Sequence, residues 1–401
     1  FQGHMKILHV NTNNAGGGVE QYLKQLCSVL NRRGHSNALL FGRKYSDQTL
    51  NWHLRSIFIE GITHFKCLDQ KAKLETVKKN IDRLNPDIIY IHQVFNSALI
   101  EYLTSIKPAI RFVHDFKLVC PDGAKILKSQ WRICTRKLGF GCQLRAYRYR
   151  CMPRNPMEGL PLIFKSKKNI RIHKKRTPIV VASEFMKSIL LANGFKNRDL
   201  NVIQYFTELP VLKKETSKTQ SPRILALGRI VENKGMHQLL KAFKKVSKDA
   251  HLEIVGNGPD LNKLVKAVED PKICSRVNLT GWLSHDKLDR IFRNCSIVVI
   301  PSIWPEPFGI VGIEALSYGK PVVASDVGGI SEWCLDGTTG FLTSPGDVEM
   351  MAEKINYLIE HPTVANEFGE NGRRLVENKF TSEIHLERLQ RLFSKVSSLS
   401  F

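Results

Sequence analysis

Apolar residues in this chain alternate between short continuous runs and longer stretches where they recur at helical spacing. Runs at 6–12, 36–42, 87–92, 109–113, 177–182 and 201–206 predict strands in the first half. Runs at 223–230, 251–255, 277–280, 297–300 and 321–325 predict strands in the second. Between the first two strands, residues 19–31 carry Tyr22, Leu23, Leu26, Val29 and Leu30 on one helical face. Residues 68–84 read as a further helix, and Ile310, Val311, Ile313 and Leu316 form a stripe that Gly319 closes. Ser183 and Asp347 stand where helix N-caps belong, and 365–376 and 381–396 read as the last two helices.

This alternation implies parallel, doubly wound α/β sheets, in which ligands bind outside the carboxyl ends of the strands. A chain of 401 residues has room for two such domains. Residues 5–208 form the expected first domain, 209–222 a linker, 223–380 a second domain and 381–401 a terminal helix. The stretch 212–222, LKKETSKTQSP, has too few apolar residues for either core. Phe1-Gln2-Gly3-His4 reads as an expression-tag remnant, so the reading starts at Met5. No apolar run reaches the ~18 residues of a membrane span. The lack of a secretory leader pattern and the odd count of nine cysteines point to reduced thiols in a cytoplasm.

Charge changes the picture. Lys and Arg number 60 against 37 Asp and Glu, a formal net charge of +23. Up to Pro210 the count is 35 against 14, which leaves only 25 against 23 for the remainder. Residues 117–176 alone hold 17 basic side chains, with Asp122 and Glu158 as their acids. Such a field implies an anionic partner: a membrane surface, a phosphorylated acceptor or a nucleic acid. The basic residues interleave with Trp131, Tyr147, Tyr149 and the apolar run 160–164, which suits an anionic lipid interface or an acceptor diphosphate. A merely solvated basic face is the plain alternative. Cys120, Cys134, Cys142 and Cys151 lie in the same segment. Four thiols there could form a structural zinc site, or remain reduced and metal-free, since no C-x-x-C pair is present.

The densest candidate chemistry is at 301–329, PSIWPEPFGIVGIEALSYGKPVVASDVGG. Pro305 and Pro307 stiffen a loop around Glu306, and Glu314 follows eight positions later inside a helix. The amides of Phe308, Gly309 and Ile310 between them make a helix N-terminus that attracts phosphate. A diphosphate on those amides would leave a carboxylate for sugar hydroxyls on either side. Arg229 and Lys234, after the strand at 223–230, are placed to clamp a diphosphate. Three glycines at 16–18 precede the first helix and allow close backbone approach to a ligand.

Glu306-Pro307-Phe308-Gly309 followed by Glu314 resembles the E-x7-E motif of retaining glycosyltransferases of family 4, whose fold is GT-B. That resemblance implies two Rossmann-like domains facing a central cleft, with the terminal helix packing back on the first. It implies that Glu306 contacts the donor sugar, Glu314 the nucleotide ribose, and Arg229 and Lys234 the diphosphate, together with Pro307 and the backbone at Phe308, Gly309, Ile310 and Val311. Gly17 and Gly18 match a Gly-Gly pair facing the donor, and His114 a sugar-contacting histidine with Asp115 as its support. Gly258 falls in a G-x-G-P loop beside the nucleotide, and Leu283 in the segment whose backbone meets the base.

The function this implies is retaining, metal-independent transfer of a sugar from a nucleotide diphospho-sugar, most readily UDP-linked, by front-face attack. No cofactor beyond the nucleotide sugar is required. The basic first domain suggests a glycan or lipid-pyrophosphate-linked acceptor at the inner face of a membrane, in bacterial polysaccharide synthesis. Two alternatives stand beside this reading: a GT-B UDP-sugar epimerase, and a nucleic-acid-binding protein suggested by charge alone.

Overall fold

The computed structural model describes residues 3–44, 55–64, 69–211 and 221–398. Leu68 and the linker residues 212–220 lie outside the described residues. The chain divides into two units, Phe1–Tyr205 with Ser382–Phe401, and Phe206–Thr381.

The first unit is built on strands β1 (Lys6–Asn13), β2 (Ser36–Arg43), β3 (Arg55–Phe58), β4 (Ile88–Ile91) and β5 (Ala109–Val113). A two-stranded ribbon, β6 (Ile126–Leu127) and β7 (Arg132–Ile133), stands apart, and β8 (Ile179–Val181) and β9 (Leu200–Val202) complete the main sheet. Its order is β3-β2-β1-β4-β5-β8-β9, and every pairing is parallel. Helices α1 (Gly18–Arg32), α2 (Gln70–Leu84), α3 (Ser97–Ile106), α4 (Gly141–Tyr149), α5 (Pro156–Arg176) and α6 (Glu184–Ala192) alternate with the strands. The stripe Tyr22, Leu23, Leu26, Val29 and Leu30 of α1 is fully buried, as its spacing requires. Asn96 and Ser183 cap α3 and α6 through their side chains.

The second unit carries β10 (Arg223–Leu227), β11 (His251–Val255), β12 (Val277–Gly281), β13 (Ile297–Ile300), β14 (Val322–Ser325) and β15 (Gly340–Thr343). They lie in the order β12-β11-β10-β13-β14-β15, again all parallel. Helices α7 (Met236–Phe243), α8 (Leu261–Val268), α9 (His285–Asn294), α10 (Ile310–Ser317), α11 (Val348–Glu360) and α12 (Pro362–Lys379) cover this sheet. Helix α13 (Ser382–Ser398) belongs to the first unit. Each sheet winds outward in both directions from its first strand, so the order reverses between β1 and β4 in one and between β10 and β13 in the other. Loops leaving such a pair diverge and open a crevice at the strand ends.

One strand expectation needs correction. Residues 201–206 do not form one strand: the ladder ends at Val202. Ile203 N still donates to Val181 C=O at 3.0 Å, and beyond it tertiary bonds take over, with Gln204 C=O accepting from His385 Nδ1 at 2.7 Å and Tyr205 O–H donating to His114 at 2.6 Å. The basic stretch 117–176 is partly helical. Its 21-residue helix α5 starts on Pro156 and runs through Pro161, with Asn155 as N-cap.

A polar chain crosses the core of the first unit. Asn37 Nδ2 donates to Asn31 Oδ1 at 2.7 Å, which turns Asn37 Oδ1 toward His9 Nε2 at 3.0 Å. His9 therefore carries its proton on Nε2, and its Nδ1 accepts from His92 Nε2 at 3.3 Å. By the same logic His92 Nδ1 accepts from His114 Nε2 at 2.9 Å, and His114 Nδ1 from the Tyr205 hydroxyl. One orientation at Asn37 thus fixes three tautomers. Burial pushes the His9 pKa down to about 4 and those of His92 and His114 well below the ordinary value, with the Arg111 guanidinium adding to the effect on the latter two. His385 falls to about 4, and His173 well below normal, also by burial.

These shifts set a pH dependence. In the unfolded chain the five histidines take up protons below about pH 6.5, while in the folded unit His9 and His385 stay neutral to about pH 4 and burial holds His92, His114 and His173 well below their ordinary value. Their stabilising contribution is complete above about pH 6.5 and is lost as pH falls toward 4, at about 1.4 kcal/mol per pH unit for each histidine. Urea unfolding followed between pH 7.5 and 4.5 is expected to show a steep fall below pH 6.5, shallower in His9→Gln. A flat profile would contradict the neutral chain.

Candidate active site

The second unit's crevice is formed by the loops after β10 and β13, the strands flanking its reversal point. The β10 loop ends in a short 3-10 turn at Glu232–Lys234, followed by Gly235 at φ 72°. A Cβ on Gly235 would lie 1.7 Å from the Pro301 carbonyl oxygen, so only glycine lets the two loops touch. The backbone bond from Ile303 N to Asn233 O, 3.0 Å, seals the contact. This closeness brings Lys234 Nζ to 2.6 Å from Glu306 Oε1. Ser302 Oγ donates to the same oxygen at 2.5 Å, and Glu306 is almost wholly buried. Glu306 C=O accepts from Gly329 N at 2.8 Å, which fixes the loop to the segment after β14. A buried carboxylate needs this pairing, because an unpaired one costs several kcal/mol.

The helix behind Glu306 is seated by an aromatic ring. Trp333, fully buried, donates its indole N–H to Phe308 C=O at 2.6 Å. A Cβ on Gly312 would fall 2.0 Å from that ring, so glycine lets α10 lie flat against it. Gly309, at φ 89°, is the N-cap, and α10 starts at Ile310. The helix N-terminus therefore sits two residues later than Phe308. Pro307 and Phe308 are buried beneath it, and Ile310 and Val311 are half-buried in its first turn. Glu314, one turn on, is raised by burial to about 7.

Arg229 is exposed just after β10, with no ion-pair partner among the described residues. Gly258 packs its Cα against the next loop, where a Cβ would stand 2.1 Å from Ile230 C=O. Leu283 is half-buried beyond Gly281, whose carbonyl accepts from Gly256 N at 2.8 Å. The structure thus draws Lys234 and Glu306 into direct contact and places Arg229, Gly258 and Leu283 on the loops at the same strand ends. Ser302 escaped the sequence reading, although its position four residues before Glu306 in a proline-bounded loop was a usable signal.

The first unit's candidates form their own group. Gly17 is the N-cap of α1, and Gly18 opens the helix. Asn11 Nδ2 and Asn13 Nδ2 both donate to Glu20 Oε1, tying that glycine turn to β1. His114 is buried with both ring nitrogens engaged, by His92 and Tyr205. Asp115 does not support the ring as expected. With both nitrogens taken, it turns away, accepting from Lys117 N at 2.9 Å and Gln93 Nε2 at 3.3 Å.

The described residues do not show the possible zinc site. Cys120, Cys134, Cys142 and Cys151 do line one cavity of about 20 Å³, and all are free thiols. Yet no three His, Cys, Asp or Glu side chains among the described residues are arranged to hold a metal ion. Arg145 Nη2 donates to Cys142 Sγ at 3.3 Å. Burial raises the Cys120 thiol and pushes Cys151 up to about 11.

Residues 211–375 match the model of the family described as glycosyl transferases group 1, a span that falls within the second unit. The capsular polysaccharide biosynthesis glycosyltransferase CapM of Staphylococcus aureus is 31% identical over 176 residues, 42% of this chain and 44% of that protein. The trehalose synthase of Thermococcus litoralis is 26% identical over 408 residues, 95% of this chain and 88% of its own. The chain spans about half the length of the first curated relatives it matches. Among solved structures, Anabaena HepE in complex with UDP superposes with a TM-score of 0.74 at 19% identity, covering 98% of this chain and 100% of that one. The fold is that of the GT-B glycosyltransferases, and residues 211–375 are similar to the group 1 glycosyl transferases.

Gly312→Ala tests the seating of α10. Overpacking against Trp333 is expected to lower unfolding stability by about 1–3 kcal/mol, read by denaturant titration. An unchanged midpoint would mean that the ring is free to move aside.

Proposed function

We propose that this protein is a retaining glycosyltransferase that uses a UDP-linked sugar as donor. The observation that carries the reading is the Lys234–Glu306 pair, 2.6 Å apart, at the strand ends where the sheet order reverses. A diphosphate lying along the first turn of α10 meets the amides of Ile310 and Val311 and the positive end of the helix. Lys234 and Arg229 then neutralise the charge that grows on the leaving diphosphate as the bond from the sugar's anomeric carbon to oxygen breaks. Glu306 accepts hydrogen bonds from sugar hydroxyls, and Glu314 from the ribose. These cations and amides supply the positive charge for departure, which fits metal-independent transfer. The incoming hydroxyl attacks from the side the diphosphate leaves and passes its proton to a departing phosphate oxygen, so configuration is retained. HepE, solved with UDP and with UDP-glucose, favours uracil as the base. His114, with both nitrogens engaged, acts as a fixed wall of the first unit's strand ends instead of a hydroxyl ligand.

Thermal unfolding against UDP, GDP, ADP and their common sugar conjugates tests the donor site. At about 100 times the dissociation constant, a ligand adds roughly 2.7 kcal/mol, and the shift is expected to be selective for UDP compounds. With the best conjugate, Glu306→Gln is expected to lose about tenfold or more in turnover, as removal of a charged hydrogen-bond partner implies. No shift with any nucleotide, or full turnover in the variant, would remove the donor site.

The acceptor we propose is a glycan on a lipid pyrophosphate, met at an anionic membrane face during polysaccharide synthesis. The first unit carries a surface that suits this. Phe140, Leu144 and Tyr147 recur at helical spacing along α4, with Leu144 75% exposed, and Met157 and Phe164 project from α5, Met157 being 82% exposed. Phe140 and Phe164 meet edge to face at 5.6 Å, and Lys167 Nζ lies 4.2 Å from the Phe140 ring. Apolar side chains ringed by lysine and arginine enter a headgroup layer favourably. No helix among the described residues is long and apolar enough to cross a membrane. Sedimentation with phosphatidylglycerol vesicles at low salt is expected to retain the protein, with neutral vesicles retaining less. Leu144→Ser with Phe164→Ser should weaken binding severalfold, and equal binding to both vesicle types would exclude this face as a lipid surface.

A further inference from the structure

The two oxygens of the Glu306 carboxylate have different surroundings. Every hydrogen bond to this carboxylate falls on Oε1: Lys234 Nζ at 2.6 Å and Ser302 Oγ at 2.5 Å. Oε2 has no partner in the described residues. Ser302 is itself buried, at 1% exposure, and its hydroxyl has one proton to give, which this bond uses. Lys234 is more open; its ammonium lies 5.2 Å from the Trp304 ring centre and keeps N–H groups for another acceptor.

We propose that Ser302 is a positioning residue that reserves Glu306 Oε1 for the protein and leaves Oε2 for the donor sugar. This inference rests on the donor-site reading above and goes beyond it by assigning roles to Ser302 and to each oxygen. A carboxylate held by one flexible lysine alone can rotate about its terminal torsion, which is broad and roughly two-fold. Lysine also has a reason to leave, because the diphosphate competes for its ammonium. Ser302 has none: it sits on the same loop as Glu306, is closed off from solvent, and points at one oxygen. When Lys234 turns toward the leaving diphosphate, Ser302 keeps Oε1 occupied and Oε2 directed outward. The serine therefore acts on the sugar through Glu306, and on the nucleotide hardly at all.

The test compares wild type with Ser302→Ala and Ser302→Thr. Calorimetry gives the affinity for UDP, and initial rates of UDP release from the best UDP-sugar, with water as acceptor, give kcat and KM. Loss of a hydrogen bond to a charged group is expected to cost about tenfold in kcat/KM or more in Ser302→Ala. Its affinity for UDP should stay within about twofold of wild type, since Ser302 touches no nucleotide-binding group. Ser302→Thr, which keeps the hydroxyl, should recover most of the loss. Unchanged kcat/KM in Ser302→Ala overturns the assignment, as does an equal loss of UDP affinity and turnover, which would mark general damage to the loop. If wild type itself binds no UDP, the donor site falls and this assignment with it. A wild type that binds and turns over beside an unaffected Ser302→Ala removes the assignment alone.

Discussion

A carboxylate buried next to an ammonium is the constraint around which the second unit is arranged. Glu306 would be costly in that position without Lys234 and Ser302, and each partner demands something of the backbone. Lys234 reaches it because Gly235 lets the β10 loop rest on Pro301. Ser302 reaches it because the proline-bounded loop returns on itself within four residues. The carbonyl of Glu306 is held in turn by Gly329, beyond the next strand. Three consecutive strand ends, those of β10, β13 and β14, are tied together at a single acid.

The helix that follows obeys the same economy of space. Gly312 leaves room for Trp333, and Trp333 returns a hydrogen bond to Phe308, so the helix start is fixed where phosphate would meet its amides. Glu314 sits inside this helix with a carboxyl raised by burial to about 7. A ribose that donates to the carboxylate would favour the ionised form. The two acids of the motif thus differ in kind: one has paired charge, the other is held near its titration point by burial.

The first unit solves a different problem with neutral groups. Burial opposes protonation of its three linked histidines, with Arg111 adding to the effect on His92 and His114, and a single amide orientation directs all of their bonds. The chain ends on Tyr205, whose hydroxyl bonds His114 just past the end of β9. The positive charge of the unit lies elsewhere, on the segment containing α4 and α5, where exposed aromatic and aliphatic side chains accompany it.

Local pattern alone determined the parallel sheets, most strand positions, the caps at Ser183 and Asp347 and the buried face of α1, because burial periodicity and capping act between near neighbours in the chain. It offered Glu306 and Lys234 only as candidates, and the resemblance to the E-x7-E motif and its neighbouring segments selected them. Only the tertiary structure decided that Lys234 touches Glu306, across 72 residues of chain, and that Ser302 shares the same oxygen. It alone showed that His114 has no nitrogen to offer, because its partners come from β4 and from a segment 91 residues away. The cysteines mark the opposite failure. Four thiols in one basic segment suggested a metal, but their spacing could not say whether the sulfurs would converge with the geometry a metal needs. Sequence records which groups are available, whereas hydrogen-bond partners separated by long stretches of chain are chosen only when strands and loops pack.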